Sequence, residues 1–194
     1  MTIRNLEGFF APKSVAVIGP SRHDQAVLDA LLKGLTDTIG KRPLRLVGLE
    51  AGGVWDEHKA ASLDDLHPAP DLAICLAPSA HMPALISDLS ARGTRAVLLL
   101  SPGYETWPDD LLQQCREAAR QSNLRLIGPG SLGLAIPALS FNALLSAKAP
   151  LKGDIAFFAR SSAVLNGTLS WAASHQTGFS AVVSLGARMD VDIG

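Results

Sequence analysis

The chain has 194 residues, 47% of them hydrophobic and 18% charged, with a formal net charge of −1. That is enough apolar material for one large or two small cores, which excludes bulk disorder, and the scattered Lys and Arg residues give no basic field for nucleic acid. No apolar run approaches the roughly 18 residues of a membrane-spanning helix and no secretion signal is legible at the N-terminus, so a cytoplasmic protein bound neither to membrane nor to nucleic acid is expected.

Behind the segment Leu6–Lys13, the first strand is read over Ser14–Gly19, a continuous apolar run that ends on glycine and passes into Pro20, Ser21 and Arg22. A buried parallel strand delivers its carboxyl end to a phosphate-binding turn in this way, and the N-terminus of the helix expected near Asp24 to Leu35 adds a positive dipole end. Gly19 stands alone where the dinucleotide motif needs three glycines. Glu50, after the second strand Leu44–Leu49, is the feature that speaks for NAD, as an acceptor for ribose hydroxyls.

Strands follow over Asp71–Ala77, Arg95–Ser101 and Leu124–Gly128, separated by helix-period segments Ala80–Arg92 and Pro108–Ser122, with Pro83 and Pro108 suited to first-turn positions. Alternation of continuous apolar strands with helices predicts an α/β, doubly wound, Rossmann-like parallel sheet. Cys75 falls in a strand and Cys115 in a helix, without the spacing of a disulfide framework or zinc site, and both are read as buried thiols of a reducing compartment.

After Gly128–Gly133 the passage Leu134–Pro150 reads as extended and turn-rich, and a second βαβ signature begins: strand Asp154–Ala159, helix Ser161–His175, strand Phe179–Leu185. Two parallel strands are too few to cover themselves, so further chain or another chain is expected to complete this sheet.

Four loops lie at expected carboxyl ends of strands, where open parallel sheets bind ligands: Leu76–Ser79, Leu100–Gly103, Gly128–Gly133 and Ala159–Ala163. Ser161 or Ser162 is suited to cap the second unit's helix or to bind a phosphoryl oxygen at that helix's positive end. No catalytic residue and no metal site is expected. His23, His58, His67, His81 and His175 are read as surface or packing residues, and neither Ser101 nor Ser131 sits in the nucleophile motif of a Ser-His-Asp hydrolase.

In order and spacing, Leu6–Lys13, Val15–Ser21, Asp71–Pro78, Leu126–Pro129, Leu132–Leu134, Arg160–Ala163, Trp171–Ala172, Gly178–Ser180 and Ser184–Gly186 resemble the N-terminal part of the NDP-forming acyl-CoA synthetase superfamily. The resemblance covers essentially the whole chain and is closest to the bacterial protein lysine acetyltransferases, which join a synthetase-like region to a GNAT domain. It implies a coenzyme A-binding domain over residues 1–133, a connecting segment over 134–152 and an incomplete flavodoxin-like domain, of the succinyl-CoA synthetase type, over 153–194. Carried over residue by residue, Gly19, Pro20, Ser21 and Arg22 would meet the phosphates of CoA or acetyl-CoA. Pro78 and Ser79 would flank its adenine or pantetheine, Ser101 would approach the pantetheine arm, and Ser161 and Ser162 would face the phosphoryl site.

Three departures from the family pattern stand out: Glu50 where relatives often carry a basic residue, Gly130 in place of the asparagine of Gly-Pro-Asn, and Ser162 in place of a glycine. The phosphate-carrying histidine and the ATP-grasp region of the synthetases have no counterpart in these residues, so ATP or ADP would enter only through regions outside them. The leading expectation is a CoA-binding regulatory region of a protein lysine acetyltransferase, partnered by downstream catalytic domains, a companion subunit or a second copy. The alternatives are part of an active NDP-forming acyl-CoA synthetase, or an NAD-binding module.

Overall fold

A computed structural model describes residues 6–19, 25–40, 42–49, 53–76, 79–100, 107–146 and 148–193. Backbone contacts divide the chain into two compact units, one formed by residues up to 23 with 42–99 and 106–126, the other by 24–41, 100–105 and 127–194. In chain order the elements are α1 (Glu7–Phe10), β1 (Val15–Ile18), α2 (Gln25–Ile39), β2 (Leu44–Val47), β3 (Lys59–Ala60), β4 (Leu72–Cys75), α3 (Met82–Arg92), β5 (Ala96–Leu100), α4 (Asp109–Arg120), β6 (Arg125–Ser131), β7 (Leu134–Ile136), β8 (Phe141–Asn142), β9 (Leu151–Ala159), α5 (Ser162–Ser174) and β10 (Gly178–Ser184).

The larger sheet has six strands in the order β3-β2-β1-β4-β5-β6, and β1 is flanked by parallel partners on both sides, Val15 lying opposite Leu44 and Leu72. Every residue of β1, β4 and β5 is buried, which is what the continuous apolar runs require of strands covered on both faces. This order is that of the dinucleotide-binding doubly wound fold, and its direction of winding reverses between β1 and β4. The expected Rossmann-like α/β architecture is the one observed.

Local chemistry fixes the helix ends. Helix α3 stops at Gly93, whose φ of 100° is open to glycine and whose N–H reaches the carbonyls of Leu89 and Ser90. Helix α4 carries Asp109 and Asp110 in its first turn and Arg120 in its last, both favourable to its dipole. Pro83 lies in the first turn of α3 as expected, whereas Pro108 is the residue before α4, with an extended ψ of 147°.

The second sheet corrects the sequence reading. Four strands, not two, run in the order β8-β7-β10-β9: β10 is parallel to β9 and antiparallel to β7, which pairs antiparallel with β8. The passage read as turn-rich thus supplies two strands of its own, and these extend the sheet on the β10 side. Helix α5 covers one face, with Leu165, Leu169 and Ala172 at i, i+4 and i+7 packed among Ala159, Phe179 and Val182. β9 is the edge strand and most of its residues are exposed, Ile155 by 50%. Among the described residues no helix is long and apolar enough to cross a membrane.

Both cysteines are buried and unpaired by disulfides. Burial pushes the Cys75 thiol up to about 12 and the Cys115 thiol up to about 11, because the interior disfavours thiolate. Native protein is therefore expected to resist a thiol-modifying reagent until it is unfolded. Because the folded state keeps these protons longer than the unfolded chain does, stability should fall as pH rises above about 9. Stoichiometric labelling of either thiol in folded protein at pH 8 would contradict this packing.

Candidate functional site

The carboxyl ends of β1 and β4 face the point where the sheet reverses its winding, the position at which open α/β sheets hold ligands. Three backbone hydrogen bonds set its geometry. Leu76 N–H donates to Ile18 O at 2.8 Å, Gly19 N–H donates to Val47 O at 3.1 Å, and Val15 N–H donates to Pro43 O at 2.9 Å, so β1 is gripped along its length and at its exit. Gly19 has φ 144°, and Gly48 opposite has φ 69° with space for a Cβ only 3.8 Å from the Gly19 carbonyl group. Both glycines hold backbone that side chains disfavour.

Of the residues assigned to this first cradle, Gly19 is placed at the strand exit. Pro20, Ser21, Arg22, Glu50, Pro78 and Ser101 lie outside the described residues, and Ser79 opens a short 3-10 turn that precedes α3. Of the first cradle's expected residues, Gly19 and the backbone of Ser79 are the described ones.

A second constellation forms at the carboxyl ends of β9 and β10. Ser161 is the N-cap of α5, its Oγ accepting from Val164 N–H at 3.3 Å, and Ser162 is the first helical residue. Leu185 N–H donates to Ala159 O at 2.9 Å and Gly128 N–H donates to Leu185 O at 3.2 Å, so the turns after β9, within β6 and after β10 adjoin one another. Gly186 shows why no side chain fits there: a Cβ would stand 2.1 Å from Pro129 O, and Ala187 N–H donates to that same carbonyl at 2.8 Å. Ser131 and Ser184 lock the arrangement from beneath. Ser131 Oγ donates to Ser184 O and accepts from Gly133 N–H at 2.9 Å, while Ser184 Oγ accepts from Leu132 N–H at 3.0 Å.

Charge surrounds this second constellation. Arg188 donates to both carboxylate oxygens of Asp192, at 3.1 and 3.2 Å, and Asp192 is held below the usual carboxylate range by the Ile193 backbone N–H first and by Arg188 and Arg160 after it. The uncapped amides of the first turn of α5 favour an anion, whereas the charge of Arg188 is met by Asp192. Arg188 and Asp192 were not singled out from sequence. The signal available was a glycine closing an apolar strand and followed by a basic residue, Gly186 to Arg188, the logic already applied to Gly19 and Arg22.

Two of the five histidines make local contacts with neighbouring side chains. His175 stacks on Trp171 with ring centroids 4.4 Å apart and planes inclined by 19°, and His58 lies 3.6 Å from the Glu57 carboxylate. Among the described residues no group of three or more His, Cys, Asp or Glu side chains comes together as a metal site would require.

Residues 13–137 match the sequence pattern of the CoA binding domain, well over half of the chain. The chain belongs to the CoA-binding domain family. Residues 152–194 match the succinyl-CoA ligase like flavodoxin domain, which accounts for the second βαβ unit. An ADP-forming acetate–CoA ligase of Methanocaldococcus jannaschii is 30% identical over 93% of this chain and 25% of its own length. The alpha subunit of ADP-forming acetate–CoA ligase I of Pyrococcus furiosus is 27% identical over 97% of the chain and 42% of its own length. A crystal structure from Pyrococcus horikoshii OT3 superimposes with a TM-score of 0.85 at 26% identity, covering 97% of this chain and 43% of that one. The chain thus spans less than half the length of these relatives. Both curated relatives are named as ligases, which favours the synthetase expectation over the acetyltransferase fusion, and the family match favours coenzyme A over NAD as a ligand.

Proposed function

We propose that this CoA-binding chain forms the coenzyme A-holding part of an ADP-forming acyl-CoA ligase, acting in the cytoplasm with a companion subunit or further domains that supply nucleotide chemistry. The observation that carries the reading is the coincidence of a CoA-binding family match with Gly19, φ 144°, closing β1 on the sheet's switch point. In this reading Gly19, Pro20, Ser21 and Arg22 hold the CoA phosphates, Pro78 and Ser79 flank the adenine or pantetheine, and Ser101 guides the pantetheine arm toward the thiol end. Ser161 and Ser162, with the amides of the first turn of α5, would orient a phosphoryl group. When bound, coenzyme A would supply the thiol that carries the acyl group as a thioester; the residues of this chain bind, orient and neutralise, and none acts as acid, base or nucleophile. Residues 1–133 would then work as the cofactor-binding part and 153–194 as the start of the phosphoryl-facing part, with 134–152 adding β7 and β8 to the sheet of the latter. The companion subunit is suggested by the relative that is itself an alpha subunit.

Calorimetric titration of the folded chain with CoA, acetyl-CoA and NAD tests this, with heat expected for the two CoA species and none for NAD. Glu50→Lys adds a sign. A carboxylate beside a ribose phosphate repels it, so the substitution should tighten CoA roughly two- to fivefold, while it should weaken a dinucleotide whose ribose hydroxyls Glu50 accepts. Absence of heat with either CoA species, in protein shown by circular dichroism to be folded, would overturn the proposal.

A further inference from the structure

The second unit carries a cavity of about 250 Å³, lined by the last turns of α2, by β7 and β8 with the 3-10 turn Pro137–Leu139 that joins them, and by the start of β9. Pockets for drug-sized ligands run from roughly 300 to 1,000 Å³, so this one suits a small metabolite and is too small for coenzyme A. Pro137, Phe141, Pro150 and Leu151 form its apolar wall. Leu151 is 48% exposed, so an apolar ligand group there would remove it from water. The polar groups of the cavity are unequal. Thr38 Oγ1 is committed, donating to Gly34 O at 2.6 Å and accepting from Asn142 N–H at 3.0 Å. Asn142 is 7% exposed, and its Oδ1 accepts from Leu144 N–H at 3.1 Å, which fixes the orientation of the amide; among the described residues its Nδ2 donates to no protein group. Gly34 has no side chain to cover that nitrogen, from which a Cβ at position 34 would stand 3.4 Å. Asp37 and Lys152 are exposed residues of the same cavity, and among the described residues neither forms a hydrogen bond or ion pair, with the other or with any third group.

We infer that this cavity binds a free α-amino acid with an apolar side chain. Its carboxylate accepts from Asn142 Nδ2 and meets the Lys152 ammonium, its own ammonium meets the Asp37 carboxylate, and its side chain lies on the wall of Pro137, Phe141 and Leu151. A nearly buried amide without an acceptor is costly, and a carboxylate oxygen supplies the acceptor in its stronger, charge-assisted form. The two free charges decide between ligand classes. A simple carboxylate brings its charge up to Asp37 and a simple amine brings its charge up to Lys152, whereas a zwitterion is attracted by both. Because Leu144 already holds the Asn142 side chain, the donor is set before the ligand arrives. This site lies within one unit and is independent of the CoA reading.

The test is a titration of the isotopically labelled full chain with L-leucine, followed by nuclear magnetic resonance. Saturable shifts are expected for the side-chain amide of Asn142 and for the backbone amides of Thr38, Ser140 and Lys152. Isocaproate, which lacks the ammonium, should bind about two- to fivefold more weakly than leucine, the effect of one exposed charge pair. Isoamylamine, which lacks the carboxylate and with it the Asn142 bond, should bind about tenfold more weakly or worse. Lys152→Met and Asp37→Asn should each weaken leucine about two- to fivefold without lowering the melting temperature. Asn142→Asp keeps an acceptor for Leu144 N–H but repels the carboxylate, and it should abolish saturable binding. If Asn142→Asp does not fold, the two exposed variants decide. Shifts that do not saturate with leucine overturn the inference and leave a cavity that holds only water. Saturable binding that neither exposed variant weakens, or isocaproate binding as tightly as leucine, overturns it as well, because the cavity then takes an apolar molecule without reading its charges.

Discussion

Replacing Gly133 by alanine is expected to dismantle the sheet of the second unit, with a loss of about 3 kcal/mol or more. Gly133 lies between β6 and β7 with φ 105°, and a Cβ there would stand 1.9 Å from Ala143 O, 2.9 Å from Ala143 C and 3.1 Å from Leu144 Cα. All three atoms are backbone, so no side-chain rotation relieves the overlap. The strands must separate, and the bonds that define their register go with them: Ala143 N–H to Leu134 O at 2.9 Å, Leu145 N–H to Leu132 O at 2.7 Å, and Ser184 N–H to Gly133 O at 2.9 Å. Strands of three and two residues have little else to hold them. For a chain of this size the loss corresponds to a melting temperature lowered by roughly 10 °C. A Gly133→Ala protein melting within 2 °C of the wild type would show that the register is not fixed at this glycine.

The same short strands mark where sequence reading stopped. β1, β4 and β5 were legible because a strand buried on both faces must be apolar at every position, and α5 because Leu165, Leu169 and Ala172 repeat at helical spacing around an N-capping Ser161. These signals are local. β7 and β8 have no period to read: Leu134–Ile136 and Phe141–Asn142 become strands because distant groups receive them, β10 on one side and Thr38 of α2 on the other. The pairing partners of Asn142 and Ser131 lie far away in sequence, and loop closure of that length leaves no trace in local composition. At the sites, glycine and serine at strand ends were readable as residue types. Arg188 and Asp192 were not, because their meeting depends on how the chain turns after Gly186, where Arg188 itself takes φ 53°.

Gly19→Val is expected to abolish most CoA affinity, by about 10- to 100-fold, without unfolding the sheet. Gly19 holds φ 144°, a conformation that a β-branched residue avoids at a cost of about 1–3 kcal/mol. Its amide is already committed to Val47 O at 3.1 Å and the preceding strand is held by Leu44 and Leu72, so β1 cannot move to absorb the change. The strain must instead be released forward, into Pro20, Ser21 and Arg22, the residues proposed to meet the phosphates. A turn that reaches its binding shape in a small fraction of molecules lowers apparent affinity by that fraction. Gly19→Ala, lacking the β-branch, should fall between wild type and valine, so the three proteins form a graded series in calorimetric titration with CoA. Gly48 provides the internal comparison: it has φ 69° and faces the Gly19 carbonyl group at 3.8 Å, so Gly48→Ala strains the neighbouring turn while a Cβ there still fits. Affinity should fall further for Gly19→Ala than for Gly48→Ala if ligand phosphates approach the backbone at Gly19. Equal losses at the two positions would mean that both glycines merely shape the sheet edge, and that the phosphates are held elsewhere.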